Sequence, residues 1–218
     1  MQENEKKLDE LQQKLYAEKK EGLIIVFQAM DAAGKDGTIT HVLQCLSPHG
    51  VYEAAFKSPS STELAHDFLW RVVQQVPAKG EIAIFNRSHY EDVLIGKVKE
   101  LYKSQAHADR IDTDKVIERR YTDIRNFEEY LYQNNIRIIK IFLNVSKEEQ
   151  AKRFGERQTN PEKQWKITEE DWRNREKWDQ YEKAVDEMIL RTSTKDAPWI
   201  IVEGNSKYYA RLKVIRSV

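Results

Sequence analysis

Cysteine, glycine and proline are scarce in this sequence. A single cysteine, Cys45, stands among 218 residues, so no disulfide can form within the chain, as is usual for proteins of the reducing cytosol. The eight glycines and five prolines are too few for a fibrous or disordered chain, and 40% of the residues are hydrophobic, which is enough for a core. At roughly 150 residues per domain, the length predicts one or two globular domains.

Long apolar runs and an excess of either charge are also missing. No hydrophobic run approaches the roughly 20 residues that a membrane-spanning helix needs. The charged residues 1–22 lack the apolar centre of a signal peptide. The 36 Lys and Arg residues balance 36 Asp and Glu residues, whereas proteins built on sequence-independent nucleic-acid binding usually carry a basic excess. We therefore expect a cytoplasmic protein that binds neither a membrane nor nucleic acid.

Short apolar runs alternate with segments of helical periodicity along the chain. Strands are predicted at residues 23–27, 51–56, 82–85, 138–145 and 199–202. Helices are predicted at 5–20, at 39–46, at 63–76, at 114–132, and from Ser146, Thr168 and Tyr208, with capping boxes at Ser146/Glu149 and Thr168/Asp171. This alternation predicts an α/β fold with a doubly wound parallel sheet, in which ligands bind beyond the carboxyl ends of the strands.

The clearest functional motif follows the first predicted strand. Residues 29–38 are AMDAAGKDGT, close to the P-loop pattern G-x-x-x-x-G-K-[ST], although Ala29 replaces the first glycine and Asp36 the usual Ser or Thr. In such a loop the backbone N–H groups, the helix N-terminus and the lysine together bind phosphate. The predicted phosphate-binding residues are Ala32, Ala33, Gly34, Lys35, Asp36, Gly37 and Thr38. A chance strand–turn–helix is the alternative.

Asp31 lies inside this loop. A carboxylate repels phosphate unless a cation lies between the two, so Asp31 is predicted to bind Mg²⁺. The alternative is a helix N-cap, a position that suits aspartate.

A second polar segment, residues 85–92 (FNRSHYED), begins where the third predicted strand ends. Arg87 is expected to point into the same crevice as Lys35 and to bind phosphate through its guanidinium. The alternative is a helix start with Ser88 as N-cap and Glu91 as its capping-box partner, and the two interpretations are compatible.

The third polar segment, residues 152–166, contains five basic and two acidic residues. In P-loop kinases the corresponding helix leads into a lid that closes on the transferring phosphates. A solvated helix face is the alternative for such a charge run. We expect Trp165, Trp172 and Trp178 to pack between this lid and the body.

Together these motifs resemble the family-2 polyphosphate kinases over nearly the whole chain. The matching segments are residues 27–37, 56–59, 66–71, 85–92, 126–128, 152–154 with Arg157, 174–178, 192–194 and 197–199. The resemblance implies a thymidylate-kinase-like P-loop kinase fold, α/β with a doubly wound parallel sheet and a helical lid. It implies a single domain at residues 1–218, with the lid at about 153–175.

The same resemblance implies an enzyme that transfers the terminal phosphate of inorganic polyphosphate to a nucleotide with Mg²⁺, or with Mn²⁺ in its place. The catalytic residues it implies are Asp31, Lys35 and Arg87, and the further phosphate-binding residues are Lys57, Arg153 and Arg157. An ATP-dependent nucleotide or nucleoside kinase on the same fold is the alternative, and a P-loop binding module without activity is another. Asp31 and Asp36 count against the ATP-dependent kinase.

Asn86 and Glu91 depart from the Asp-Arg pattern of much of the family and resemble its class III branch, which phosphorylates nucleoside mono- and diphosphates. The implied nucleotide-binding residues are Asn86, Arg87 and Glu91. A neutral Asn86 is expected to donate a hydrogen bond to the acceptor phosphate. We also expect a homo-oligomer, a dimer or a tetramer. Because the family's N-terminal extension is missing and Val218 falls within a helical pattern, we expect that the natural ends have been trimmed.

Overall fold

One parallel sheet organises the chain in the computed structural model, which describes all 218 residues. Its strands are β1 (Gly22–Ala29), β2 (Val51–Ala55), β3 (Ile82–Asn86), β4 (Ile136–Asn144) and β5 (Trp199–Glu203). All pairings are parallel, in the order β2-β3-β1-β4-β5. The predicted α/β fold with a doubly wound sheet is therefore confirmed.

Helices cover both faces of the sheet. They are α1 (Gln2–Glu18), α2 (Lys35–Leu43), α3 (Ser61–Leu64), α4 (Trp70–Val73), α5 (Ile95–Val98), α6 (Val116–Gln133), α7 (Lys147–Thr159), α8 (Glu169–Glu176), α9 (Trp178–Thr192) and α10 (Lys207–Ser217). Short 3₁₀ turns lie at His89–Asp92, Leu101–Ser104, Thr113–Lys115 and Gln164–Lys166. None of the helices is long and apolar enough to span a bilayer.

The central strand β1 explains the continuous apolar run near the N-terminus. Alternate residues of a strand point to opposite faces of the sheet. Ile24 and Val26 belong to one buried core cluster, whereas Ile25 and Phe27 belong to the other. A strand covered on both faces needs apolar residues at successive positions, and this places the strand's carboxyl end, with the P-loop, at the middle of the sheet edge.

Two predicted helices are interrupted. The segment 63–76 forms two short helices, α3 and α4, because the Asp67 carboxylate accepts a hydrogen bond from the Leu69 amide (3.0 Å) and turns the chain between them. The helix that begins after Thr168 ends at Glu176, and α9 begins at Trp178.

Of the two predicted capping boxes, the one at Thr168 and Asp171 is complete. At the start of α7, Ser146 accepts from the Glu149 amide (3.2 Å), but the reciprocal bond is missing. The Ser146 amide donates instead to Asn205 Oδ1 (2.9 Å), and the Glu149 carboxylate accepts from Arg153 Nε (2.9 Å).

Candidate active site

The P-loop connects β1 to α2 at the carboxyl edge of the sheet. Ala32 (φ 59°) and Gly34 (φ 93°) both adopt the left-handed conformation, and the Ala33 amide donates to the Met30 carbonyl (3.1 Å). Left-handed residues within a turn direct backbone N–H groups into a concavity that binds anions. The loop therefore has the backbone form of a phosphate cradle, and the chance strand–turn–helix loses its support.

Asp31 is not the N-cap of α2. Gly34 occupies that position, and no side chain caps the helix. The Asp31 carboxylate instead faces α8, where Asn174 Nδ2 lies 3.5 Å from its Oδ2. Burial raises the pKa of Asp31, and the nearby Asp171 raises it further, while Arg87 opposes both effects. A cation beside Asp31 would offset this burial cost.

Lys35 lies at the first position of α2, and its ammonium group is largely buried. Its Nζ contacts Asn86 Oδ1 and lies 3.3 Å from Asp36 Oδ1. Burial lowers the pKa of Lys35, and the Asp36 charge opposes this shift. Burial by itself would raise the pKa of Asp36, but the Lys35 charge and the hydrogen bond from Asn86 hold it below its ordinary value.

Asn86 ends β3 and is oriented by two carboxylates. Its Nδ2 donates to Glu53 Oε1 (2.7 Å) and to Asp36 Oδ1 (3.2 Å), which leaves Oδ1 directed at Lys35. The amide therefore faces the P-loop cleft with its nitrogen engaged by two carboxylates, and donation from Asn86 to an acceptor phosphate stays a prediction. Glu53, on β2, was missed because it belongs to no recognisable local motif.

Arg87 follows Asn86 in the left-handed conformation, with φ 63°. Its amide donates to the Phe27 carbonyl of β1 (3.3 Å), so the residue continues the pairing of β1 and β3 by one step. A positive φ at a non-glycine residue is strained and is found where the surrounding structure enforces it.

Glu91 is directed inward and does not cap a helix. Ser88 Oγ accepts from the Tyr90 amide (3.2 Å), so the predicted capping box between Ser88 and Glu91 is wrong. The Gln28 amide, oriented to satisfy its neighbours, donates to Glu91 Oε1 (2.8 Å). Burial raises the pKa of Glu91, although the charges of Arg87 and Lys35 oppose the shift.

Two clefts meet at Asp31 and Arg87. The first, about 530 Å³, runs over the P-loop and is lined by the basic residues Lys35, Lys57, Arg87, Arg153, Arg157, Lys163, Lys166 and Lys207. The second, about 320 Å³, lies between the 3₁₀ turn that follows β3 and α8, and is lined by Glu91, Glu170, Asn174, Arg175 and Tyr181. Asp31, Arg87 and Asp171 line both clefts. The geometry thus offers a strongly basic groove and a mixed pocket that open onto one charged junction.

The family model Polyphosphate kinase 2 (PPK2) matches residues 1–218. The chain belongs to this family. An AMP/ADP-polyphosphate phosphotransferase from Meiothermus ruber is 47% identical over 94% of this chain and 73% of its own length. An ADP-polyphosphate phosphotransferase from Rhodopseudomonas palustris is 46% identical over 95% of this chain and 73% of its own length.

The family's fold is also seen in solved structures. The crystal structure of polyphosphate kinase 2 from Arthrobacter aurescens TC1 matches this chain with a TM-score of 0.89 and 42% identity, covering 98% of this chain and 73% of that chain. The resemblance to family-2 polyphosphate kinases and the predicted fold are confirmed together.

Arg153 lines the P-loop cleft of this polyphosphate kinase 2 but is held by backbone carbonyls, whereas Thr38 lines neither cleft, and phosphate binding by either residue stays a prediction. The buried Arg153 guanidinium donates to the carbonyls of Ala32 (2.9 Å), Gly204 (2.7 Å) and Asn205 (2.9 Å), which fixes it to the body of the protein. The buried Thr38 hydroxyl donates to the Gly34 carbonyl (3.0 Å) and lies outside both clefts. Arg153 is therefore a support of the P-loop backbone rather than a free lid arginine.

Most residues between Arg153 and the start of α8 are exposed to solvent. Arg157 Nη1 donates to the Lys166 carbonyl (3.0 Å), which joins the end of α7 to the 3₁₀ turn beyond it. Trp172 packs against Phe154, with ring centroids 5.1 Å apart. Trp165, in contrast, is 75% exposed, so the prediction that it packs between lid and body is wrong.

No cluster of three or more His, Cys, Asp or Glu side chains is arranged to hold a metal ion. Mg²⁺ keeps several waters and binds one or two carboxylates together with substrate phosphates, so the predicted Mg²⁺ site does not require such a cluster, and it stays a prediction. Asp31, with Asp171 in the same pocket, supplies the carboxylates that such a site needs.

Proposed function

We propose that this polyphosphate kinase 2 transfers the terminal phosphoryl group of inorganic polyphosphate to nucleoside mono- and diphosphates, with Mg²⁺. The observation that carries the proposal is the junction of a basic groove and a mixed pocket at Asp31 and Arg87. A donor phosphate in the groove and an acceptor phosphate in the pocket would meet there.

The basic groove suits polyphosphate as donor. Its lysines and arginines line a continuous cleft beyond the P-loop, which matches a long chain of phosphates better than a compact triphosphate. The names of the relatives support the same pair of substrates, since they describe polyphosphate phosphotransferases that act on ADP or on AMP and ADP.

The transfer needs alignment rather than a strong base. An oxygen of the acceptor phosphate bonds to the terminal phosphorus of polyphosphate as the bond to the bridging oxygen breaks. The electron pair stays on that oxygen, which ends a shortened polyphosphate. Because the attacking oxygen is already anionic, Lys35, Arg87 and the P-loop N–H groups act by holding both phosphates and neutralising their charge.

Asp31 would hold the Mg²⁺, and Asp171 lines the same two clefts. The metal would supply further neutralisation of charge on the phosphates. Arg87 lies beside Asp31 and can contact phosphates from either cleft.

Glu91 and Arg87, rather than Asn86, form the acceptor side of the proposed site, because only these two of the three predicted residues line the second cleft. The use of both AMP and ADP rests on the class III pattern of the sequence and on a relative named for both acceptors. A cytoplasmic location and a homo-oligomeric state complete the proposal, the first supported by the single cysteine.

The test is incubation of the protein with polyphosphate, Mg²⁺ and AMP, with the products separated by chromatography. We expect ADP first and ATP later, without added adenylate kinase, and loss of both products when Mg²⁺ is chelated. Lys35→Ala, purified in parallel, should be slower by roughly 100-fold or more and controls for contaminating kinases.

The other outcomes are distinct. Consumption of ADP with AMP left intact would restrict the acceptor to diphosphates. Phosphorylation from ATP but not from polyphosphate would replace the proposal with the ATP-dependent nucleotide kinase.

A further inference from the structure

Gln150 lies between the P-loop and α8. It is the fourth residue of α7, is only 2% exposed, and uses both ends of its side-chain amide. Its Nε2 donates to the Asp31 carbonyl (2.9 Å), and its Oε1 accepts from Arg175 Nη1 (3.0 Å). Arg175 Nη1 also donates to the Lys147 carbonyl (2.7 Å), so the arginine of α8 is docked onto the first turn of α7.

Residues next to Gln150 and Arg175 also connect α7 and α8 to the P-loop. Arg153, one helical turn after Gln150, donates to the Ala32 carbonyl, so α7 holds two successive P-loop carbonyls. Asn174, beside Arg175 on α8, reaches the Asp31 carboxylate. Asp31 is thus linked to α8 twice, through its side chain by Asn174 and through its backbone by Gln150 and Arg175.

We propose that Gln150 is a positioning residue that couples the placement of α8 to the geometry of the P-loop at Asp31. Holding the Asp31 and Ala32 carbonyls against α7 keeps them out of the cleft and leaves the loop N–H groups free for phosphate. Through Arg175 the same side chain also holds α8, which lines the acceptor pocket. One buried amide therefore fixes the positions of the P-loop and of α8, which line the two clefts. The expected catalytic effect rests on the proposed function, whereas the structural coupling does not.

The experiment compares three variants with the wild type. Gln150→Met keeps the volume and removes both hydrogen bonds. Gln150→Glu keeps an acceptor for Arg175 but removes the donor to the Asp31 carbonyl. Gln158→Met is the matched control, because Gln158 lies on the same helix and its side chain is exposed. Each is examined for thermal unfolding, for hydrogen exchange without substrate, and for turnover at saturating polyphosphate and nucleotide.

We expect Gln150→Met to lower turnover about tenfold or more, the size of effect seen when a residue that orients a metal-ligating group is changed. Amides of residues 30–34 and 169–176 should exchange faster than in the wild type, even without substrate. Gln150→Glu should lose turnover similarly and keep the wild-type protection of α8, while Gln158→Met should match the wild type in all three measurements.

Two results would overturn the coupling. One is wild-type turnover in a folded Gln150→Glu protein. The other is unchanged exchange of α8 in Gln150→Met. If the wild type itself fails to use polyphosphate, the proposed function is wrong, and the exchange data without substrate still decide the coupling.

Discussion

Lys35 combines a charge with a largely buried position. Burial lowers its pKa, and the charges of Asp36 and Glu91 only partly compensate, so less free energy is needed to remove its proton than for an exposed lysine. A phosphate in the cleft favours the protonated form. The two effects act in opposite directions, and the charge of Lys35 is lost at a lower pH than that of an exposed lysine.

We predict an alkaline limb in the pH profile of kcat/KM that lies below the ordinary pKa of lysine. Lys35 is required as the cation, so the activity is present below its lowered pKa and is lost as the pH rises through that pKa. In Lys35→Arg the activity should be lower but the limb should move to higher pH, because arginine stays charged. Initial rates from neutral to alkaline pH measure this.

Lys57→Arg is the control, since Lys57 lies in the same cleft and is exposed. It should leave the limb where it is in the wild type. An unmoved limb in Lys35→Arg would assign the titration to another group.

A buried ionic network joins the elements around the segment that carries Arg87. The Lys140 ammonium, on β4, is fully buried and donates to Glu128 Oε2 of α6 (2.7 Å), Tyr90 Oη (3.0 Å) and the Thr192 carbonyl (2.7 Å). Tyr90 in turn donates to Glu128 Oε1 (2.5 Å). Because Tyr90 lies three residues after Arg87, this network fixes the turn that presents the arginine.

We predict that Lys140→Met lowers the free energy of unfolding by about 3–5 kcal/mol, since it leaves the Glu128 carboxylate buried without its cation. Urea unfolding measures this. Lys6→Met, which removes an exposed ion pair with Glu10 at 3.9 Å, is the control and should cost no more than about 1 kcal/mol. Equal decreases in the free energy of unfolding in Lys140→Met and Lys6→Met would contradict a larger contribution from the buried pair.

Glu128 also gives this network a pH dependence. Burial alone would raise the pKa of Glu128, but the nearby His89 imidazole, 3.6 Å from Glu128 Oε1, and the charge of Lys140 outweigh it, and the pKa is lowered. Stability from this group is present above the ordinary pKa of glutamate and is lost as the pH falls through the lowered value. The difference in the free energy of unfolding between the wild type and Glu128→Gln should therefore become smaller as the pH falls, which urea unfolding at several pH values measures.

At the scale of the whole molecule, the parallel sheet gathers the ends of separate chain segments at one edge. The lid predicted at residues 153–175 remains a prediction, but Arg153 belongs to the body, so any moving part begins after it. The segment 160–166 is exposed apart from Asn160, which is half-buried, and contributes two lysines to the basic groove.

We predict that trypsin cuts after Lys163 and Lys166 more slowly when polyphosphate and nucleotide are both bound, because the segment closes over them. Cleavage after the buried Arg153 should be slow with and without ligands, which provides an internal control. Mass spectrometry of the fragments over time measures both. Identical cleavage rates at the two lysines in both conditions would indicate a static surface segment.

The sequence by itself determined the five strands, most of the helices, and the polar segments that follow the strands. The apolar run of β1 could be recognised because a strand buried on both faces needs apolar residues at successive positions. The loop at residues 29–38 could be recognised because its anion binding depends on its own backbone, which a local pattern of glycine, lysine and small residues encodes. Lys35, Asp31 and Arg87 could be proposed in advance because each belongs to a segment that directly follows a strand, where a parallel sheet brings ligand contacts together.

Only the tertiary structure decided which side chains face which cleft. The side-chain oxygen of Asn86 is directed at Lys35 because Glu53, 33 residues away on β2, accepts from its amide nitrogen. Arg153 was drawn into the body by carbonyls of the P-loop and of residues 204–205. Gln150 acquired its partners from two other elements. These contacts join residues far apart in the chain, and hydrogen bonds of that kind leave no periodic or local trace in a sequence.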